Sequence, residues 1–487
     1  MSIDDIRSDR LKKLELLKKR GIDPYPAESF QTHNNAIFLK LFQSFLSSQE
    51  KVILTGRIMS LRKQGGIIFL DIFDGTARIQ VFMKKDSIGE NSFNLFLEVV
   101  SVSDFIEIGG VAFITKTKNN SLFAENWRII TKSLLQVPDE WFGIKDEDEK
   151  YRKRYLDIIL NPETAETIKK RSLFWNTVRS FMLERGFFEV ETPILEIKTG
   201  GAEARPFITH HNALNLNLYL RISPELWHKK LIVAGFPKVF EIGRVFRNEG
   251  ISYEHAQDYT HFEFYEAYQD NRGGIPMLIN LYQTVAQKTF GTLQFNIGKF
   301  TVDLGQEWKK YDFNQLMQEK YQFDPREVSL QKIKESLDKT EIQYDPQMIN
   351  IGRGVDLLWK KIRKEIGGPA ILTGIPIYLE PLAKKSKDDN RVVDRFQILL
   401  GGSEVGKAFN ELNDPIDQRE RFEKQQALRD AGDEEAQMAD FEYVEALEYG
   451  MPPTFGFGVS ERLFSLLAGK SIRESQIFPL MKPKTQD

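Results

Sequence analysis

Residues 238–270, KVFEIGRVFRNEGISYEHAQDYTHFEFYEAYQD, concentrate side chains that could do chemistry. They read as a strand, a polar loop and a second strand. Period-2 alternation puts Glu241, Gly243, Val245 and Arg247 on one face of the first strand. On the second, Tyr259, His261, Glu263 and Tyr265 share a face, while Phe262 and Phe264 take the other. An arginine, two carboxylates and aromatic rings over one surface suit a site that takes both a phosphate-bearing ligand and a cation. Arg247, Asn248, Glu249 and His255 lie in the loop at its end. Charged groups in such number are a poor way to build an ordinary core.

A second pattern competes for the phosphate role. Residues 401–408, GGSEVGKA, fit G-x-x-x-x-G-K and follow an apolar, strand-like run. Yet Ala408 stands where Ser or Thr would hold magnesium, and Glu404 would put a carboxylate inside an anion cradle. Those two faults make it a decoy.

Whatever these residues bind, larger elements must position them. The chain has 487 residues, enough for two or more domains, each with its own core. Its 41% hydrophobic and 28% charged content is that of an ordinary soluble globular protein. No run approaches a membrane span, and the charged start MSIDDIRSDR is unlike a signal peptide, so no membrane role is expected. With no cysteine, disulfides, thiolate ligands and a cysteine nucleophile are excluded, which is consistent with a cytoplasmic location. A net charge of −3 exerts no global pull on nucleic acid, so any RNA contact must come from local patches. One candidate patch is the basic helix at the N-terminus (Arg7, Arg10, Lys12, Lys13, Lys18, Lys19, Arg20), with an apolar stripe of Leu11, Leu14 and Leu17. It serves equally as a surface helix packed on its own domain.

From residue 51 to 136 the chain reads as five short strands, with a helix near 93–100 between the third and fourth. That fits a small OB-type barrel, following a helical extension over 1–50. Barrels of this type stack single-stranded bases on aromatic side chains. Residues 137–160 are charge-dense and read as a linker. From about 161 to 487, strands and helices mix in an α+β domain with an antiparallel sheet flanked by helices. The stretch 296–364 is more helical and reads as an insertion without signature residues.

Several motifs, in one order, carry a resemblance. FRNEG inside a strand–loop–strand resembles the second signature motif of the class II aminoacyl-tRNA synthetases. The run VETPILEIKTGGAEARPFITHHNALNLNLYLRISPEL (190–226) resembles the lysyl-tRNA synthetases specifically. The likeness extends from DRLKKLELLKKRGIDPYP (9–26) to QIFPLMKP (476–483). It implies a bacterial-type enzyme that joins lysine and ATP into lysyl-adenylate and then transfers the lysyl group to the 3′ end of tRNA(Lys). Both reacting partners of the first step are anionic, so fixed positive charge must sit at the phosphates.

By this resemblance Arg247 meets the α-phosphate and Arg462, in TFGFGVSERLFSLL, clamps the far end of the triphosphate. Glu249 and His255 would contact ATP, and Tyr259 would stack on adenine. Glu404 and Glu411 would hold Mg²⁺. Gly201, Glu225, Glu263, Tyr265, Phe409 and Glu411 would form the lysine pocket, whose carboxylates favour a ligand with a distal ammonium. Phe69 and Gln80 would contact the anticodon, although composition alone makes Phe69 a core residue. The segment RSLFWNTVRSFMLERGFFEVETPIL (171–195) resembles the first motif and implies a homodimer. Its apolar stripe is more simply core.

Three positions depart from the pattern. Gln397 stands where the family has a second metal carboxylate, Lys407 where it has asparagine, and the third motif is one residue short before Arg462. Lys407 is expected to pair with a glutamate. A sister enzyme charging another amino acid, and an RNA-binding paralogue with impaired chemistry, remain the alternatives.

Overall fold

The computed structural model describes residues 2–138, 146–250, 252–346, 349–432 and 436–484. It divides into two compact units, residues 1–150 and 151–487.

In the first unit, five strands close into a barrel: β1 (Val52–Gln64), β2 (Ile67–Phe73), β3 (Arg78–Lys84), β4 (Phe105–Ile114) and β5 (Asn120–Thr131), in the order β1-β2-β3-β5-β4. Closure removes the free edges that five short strands would otherwise expose. Alternation along β1 and β2 sends Leu54, Ile58, Ile68, Leu70 and Ile72 inward. The expected helix between the third and fourth strands is Glu90–Val99, whose Phe93, Phe96 and Val99 seal the same core.

The N-terminal helix Ile3–Lys19 buries Leu17 but leaves Leu11 39% exposed, so its apolar stripe is only partly used. Arg10 is turned inward, where it donates to Ser133 Oγ (2.5 Å) and the Val102 carbonyl (2.8 Å). The helix therefore packs on its own domain. Residues 139–145 of the expected linker lie outside the described residues. From Glu147 onward the segment is not extended but forms two short helices, Glu147–Arg152 and Arg154–Leu160.

In the second unit the short helix Arg154–Leu160 is followed by the long helix Pro162–Leu183, then β6 (Phe188–Glu189) and a small sheet of β7 (Leu195–Glu196), β8 (Ile208–His211) and β9 (Leu216–Leu220). Next come the central pair β10 (Lys238–Phe246) and β11 (Asp258–Ala267), and a hairpin of β12 (Gln294–Ile297) and β13 (Phe300–Asp303). β14 (Lys309–Asp312), β15 (Ala370–Thr373), β16 (Arg395–Leu400), β17 (Ser403–Asn410) and β18 (Thr454–Ser460) complete the count. An eight-stranded sheet runs β14-β15-β16-β17-β18-β11-β10-β6. Its inner pairings are antiparallel, as expected, while the outer pairs β14–β15 and β10–β6 are parallel.

The stretch 296–364 does hold three helices, Phe313–Tyr321, Leu330–Lys339 and Ile351–Arg363. It also supplies β13 and β14, and β14 is the edge strand of the main sheet. Strands of four residues leave too short an alternation to be seen in sequence.

The two faces of this sheet do different work. Phe240, Phe262, Phe264, Phe396, Ala408, Phe455 and Phe457 pack on one side, against the helices Pro162–Leu183 and Asn271–Phe290. The other side is open to charged side chains.

Candidate active site

On that other side, register lines residues up in rows across the strands. Gln397, Lys407, Gly458, Glu263 and Glu241 are direct neighbours on β16, β17, β18, β11 and β10. Two residues along lies the row Arg395, Phe409, Gly456, Tyr265 and Val239. In the opposite direction come Ser460, His261 and Gly243, then Tyr259 and Val245. Cross-strand neighbours point to one side, so the two halves of the sequence reading meet on one floor.

An acidic well occupies one end of the floor. The helix Glu225–Val233 packs against β11 and presents Glu225 and Lys229, four residues apart, to the same side. Lys229 is fully buried and pairs with Glu225 (2.6 Å) and with Glu411. Its ammonium also lies 5.3 Å from the centre of the Phe409 ring. Glu411 Oε1 has no hydrogen-bond partner among the described residues, although the side chain is sealed from solvent. Burial pushes Glu225 up to about 7 and Glu411 well above the usual carboxylate range, against the attraction of Lys229. Burial would lower Lys229, but the two carboxylates outweigh it and hold the ammonium charged. One cation cannot balance this much buried negative charge, and a proton takes the place of a second.

Glu263 behaves in the opposite sense. Burial favours its neutral form, but bonds from His261 (3.0 Å) and Ser223 Oγ (2.6 Å) outweigh that and leave it at about 2. Tyr265 Oη donates to its other oxygen (2.9 Å). Gly201, at φ +82°, closes the wall: a Cβ there would stand 2.7 Å from Glu225 Cβ and 2.8 Å from Ser223 Oγ. Gly456 is equally constrained, since a Cβ would meet Glu411 Oε1 at 2.0 Å.

The other end is basic. Arg247 forms no ion pair among the described residues, and its Nε is buried without a partner. Its guanidinium carbon lies 5.8 Å from the centre of the buried Tyr259 ring. Burial raises the Tyr259 hydroxyl, while the cations Arg247 and Arg462 both pull it down, which places the tyrosine near both. Arg462 opens the helix Arg462–Leu467, directly after β18, despite the shortened motif. It donates to the carbonyls of Glu254 and Glu404 (3.4 Å each) and stands 4.0 Å from the Glu254 carboxylate. Glu249 and His255 lie in the exposed loop, with His255 Nδ1 2.7 Å from Ser252 Oγ.

The two proposed metal ligands do not converge in the same way. Glu404 accepts from the Trp359 indole (2.6 Å), with Arg363 at 4.0 Å, whereas Glu411 belongs to the sealed well. Among the described residues, no group of three or more His, Cys, Asp or Glu could hold a metal ion. Residues 401–408 form a turn and strand rather than a phosphate loop. In the barrel, Phe69 is not in the core: Ile68 and Leu70 point in, and Phe69 lies outside against Phe82, ring centres 5.2 Å apart. Gln80 shares that outer face and accepts from Ser121 Oγ (3.0 Å).

Lys407 does pair with a glutamate, Glu380, at 3.0 Å. Sequence reading missed that partner, as it missed Lys229, Trp359, Arg363 and the buried Arg221 that pairs with Glu241 (2.6 Å). Only Lys229 left a signal, its i+4 spacing from Glu225.

Residues 146–482 match the family described as tRNA synthetases class II (D, K and N), and residues 52–130 match the OB-fold nucleic acid binding domain. The chain belongs to the class II tRNA synthetases. Among its relatives, the lysine–tRNA ligase of Thermotoga maritima is 39% identical over 99% of this chain and 97% of its own length. That of Thermosipho melanesiensis is also 39% identical, with the same coverage, and that of Trichormus variabilis is 40% identical over 99% of this chain and 89% of its own. No helix among the described residues is long and apolar enough to cross a membrane.

Proposed function

We propose that this chain activates lysine with ATP and transfers the lysyl group to the 3′ end of tRNA(Lys). The observation that carries the reading is an incompletely neutralised acidic well on the same sheet face as an unpaired arginine. The well, made by Glu225, Glu411 and Tyr265 with Gly201 and Phe409 around it, takes the side-chain ammonium of lysine. A neutral side chain would leave the well balanced only by its proton, which disfavours asparagine, and an acidic one would be repelled. Glu263 faces the α-ammonium.

In the first step a carboxylate oxygen of lysine attacks the α-phosphorus, the bond to the β-phosphate breaks, and pyrophosphate leaves. Arg247 holds the α-phosphate and Arg462 the far phosphates, with Glu249, His255 and Tyr259 around the nucleotide. In the second step a terminal ribose hydroxyl of the tRNA attacks the carbonyl and AMP leaves. No side chain need act as a nucleophile, because alignment and charge neutralisation suffice.

For Mg²⁺ the donor set fits only in part: Glu404 supplies one carboxylate, Gln397 an uncharged amide, and Glu411 is committed to the well. An ion held by one carboxylate and the phosphates would add further neutralisation. Phe69 and Gln80 take the anticodon. A homodimer is supported by apolar side chains left exposed on and after the first-motif segment, including Leu183 (51%), Phe188 (59%) and Ile197 (63%). A cytoplasmic location goes with this role.

ATP–pyrophosphate exchange measured with each of the twenty amino acids tests the proposal. Exchange driven by lysine is expected. Exchange driven by aspartate, or tight tRNA binding with no exchange at all, would overturn it in favour of a sister enzyme or an RNA-binding paralogue.

A further inference from the structure

Residues 401–408 form no phosphate loop, yet they deliver one residue to the basic end of the floor. Ser403 is buried at the start of β17, and its hydroxyl donates to Glu254 Oε1 at 2.8 Å. The other oxygen, Oε2, stands 4.0 Å from Arg462, whose Nε also donates to the Glu254 carbonyl at 3.4 Å. One side chain from the loop between β10 and β11 thus ties the start of β17 to the arginine that follows β18. Arg462 has no other ion pair among the described residues.

The corner around this contact is cationic. Burial lowers His255, the residue after Glu254; Arg462, Lys360 and Arg363 lower it further, while Glu254 opposes them. Burial also lowers Arg462, and Glu254 is the strongest of the anions that counter it. Arg363 adds an Nε that is buried without a hydrogen-bond partner among the described residues, 4.0 Å from the Glu404 carboxylate. Such a corner favours an anion, and within the chain Glu254 supplies it. Yet the fit is loose. A strong guanidinium–carboxylate pair closes to about 2.7–2.9 Å and is often forked. Here the approach is 4.0 Å, to one guanidinium nitrogen. The Glu254 side chain is 30% exposed, and turning it outward breaks the bond from Ser403 without unpairing any strand.

We infer that Glu254 is a built-in competitor of the nucleotide: its carboxylate fills the anion position at Arg462 and is displaced when a triphosphate enters. A phosphate carries more charge and more acceptor oxygens than a carboxylate, so it takes the arginine. Two anions beside one guanidinium repel each other, which sends Glu254 outward to solvent. Arg462 stays paired until nucleotide arrives, and the affinity for nucleotide is lowered in consequence. This inference rests on the reading that Arg462 meets the far phosphates, and it adds an autoinhibitory contact to that reading.

The test is calorimetric binding of ATP, inorganic tripolyphosphate and adenosine to the full chain. Glu254→Gln keeps the shape and the bond from Ser403 but removes the charge. It is expected to bind ATP and tripolyphosphate roughly tenfold more tightly than wild type, with adenosine unchanged. Arg462→Met should weaken both phosphate ligands, and Glu254→Gln added to it should recover little, because the two side chains act on one position. Unchanged or weaker binding of ATP and tripolyphosphate in Glu254→Gln overturns the inference. So does equal tightening toward adenosine, which would mark a general loosening of the loop. A gain as large in the Arg462→Met background also overturns it, since the competition would not be for that arginine. If Arg462→Met itself binds tripolyphosphate as wild type does, the reading of Arg462 falls as well.

Discussion

A buried ammonium between two carboxylates gives the well its pH response. With Glu225 at about 7 and Glu411 above the usual range, the pair shares a proton while the well is empty. An arriving ammonium favours the ionised forms, so binding releases protons. The sign follows directly: affinity for lysine should rise as pH increases from 6 to 8 and fall in the other direction. Calorimetry in buffers of different ionisation enthalpy measures the released protons, and a pH-independent affinity would contradict this account. At the basic end, Arg247 has no ion pair among the described residues to lose, so Arg247→Ala should leave the fold intact. It should lower the rate of lysine-dependent pyrophosphate exchange roughly 10²- to 10³-fold. The period-2 reading placed Glu263, His261 and Tyr265 on one face, and alternation is a local property that sequence displays. Glu380 and Trp359 were invisible because their partners, Lys407 and Glu404, lie 27 and 45 residues away along the chain.

The strand β18 shows how an element shapes the site through what it lacks. Its alternating residues Phe455 and Phe457 anchor the core face, while Gly456 and Gly458 leave the opposite face open. Gly456→Ala would drive a methyl group against Glu411 Oε1 and the Tyr265 ring. We expect kcat/KM for lysine to fall by about a hundredfold, the cost of a displacement near 1 Å, with KM for ATP little changed. Steady-state exchange kinetics at saturating ATP and then at saturating lysine separate the two. The helix Ile351–Arg363 shows the reverse case. It lies in a stretch that carries no motif, yet it brings Trp359 and Arg363 to Glu404. Its amphipathic pattern announces a helix but says nothing of what it touches.

Across the whole molecule, the proposed adenylate chemistry falls in residues 151–487 and the outer barrel face in residues 1–150. Phe69→Ala should therefore raise KM for tRNA in aminoacylation roughly ten- to hundredfold, the worth of one stacked base. Lysine-dependent pyrophosphate exchange, which needs no tRNA, should be unaffected. A matching loss in exchange would mean that the phenylalanine supports the fold rather than the anticodon. Sedimentation equilibrium should give twice the chain mass, and Phe188→Glu should shift it toward the monomer by placing charge among exposed apolar side chains.

The sequence by itself determined the barrel, the antiparallel heart of the larger sheet and the side of β11 that carries Glu263, His261 and Tyr265. Each depends on short-range periodicity and turn residues. It also supplied the family, through motifs whose order along the chain is independent of folding. Tertiary structure decided how the charges are balanced. Lys229 sits between Glu225 and Glu411, Lys407 is tied to Glu380, Arg247 is left without an ion pair among the described residues, and Phe69 lies outside its barrel. The electrostatic state of a buried group depends on every charge within a few ångströms, and most of those neighbours are brought there by strands far apart in sequence.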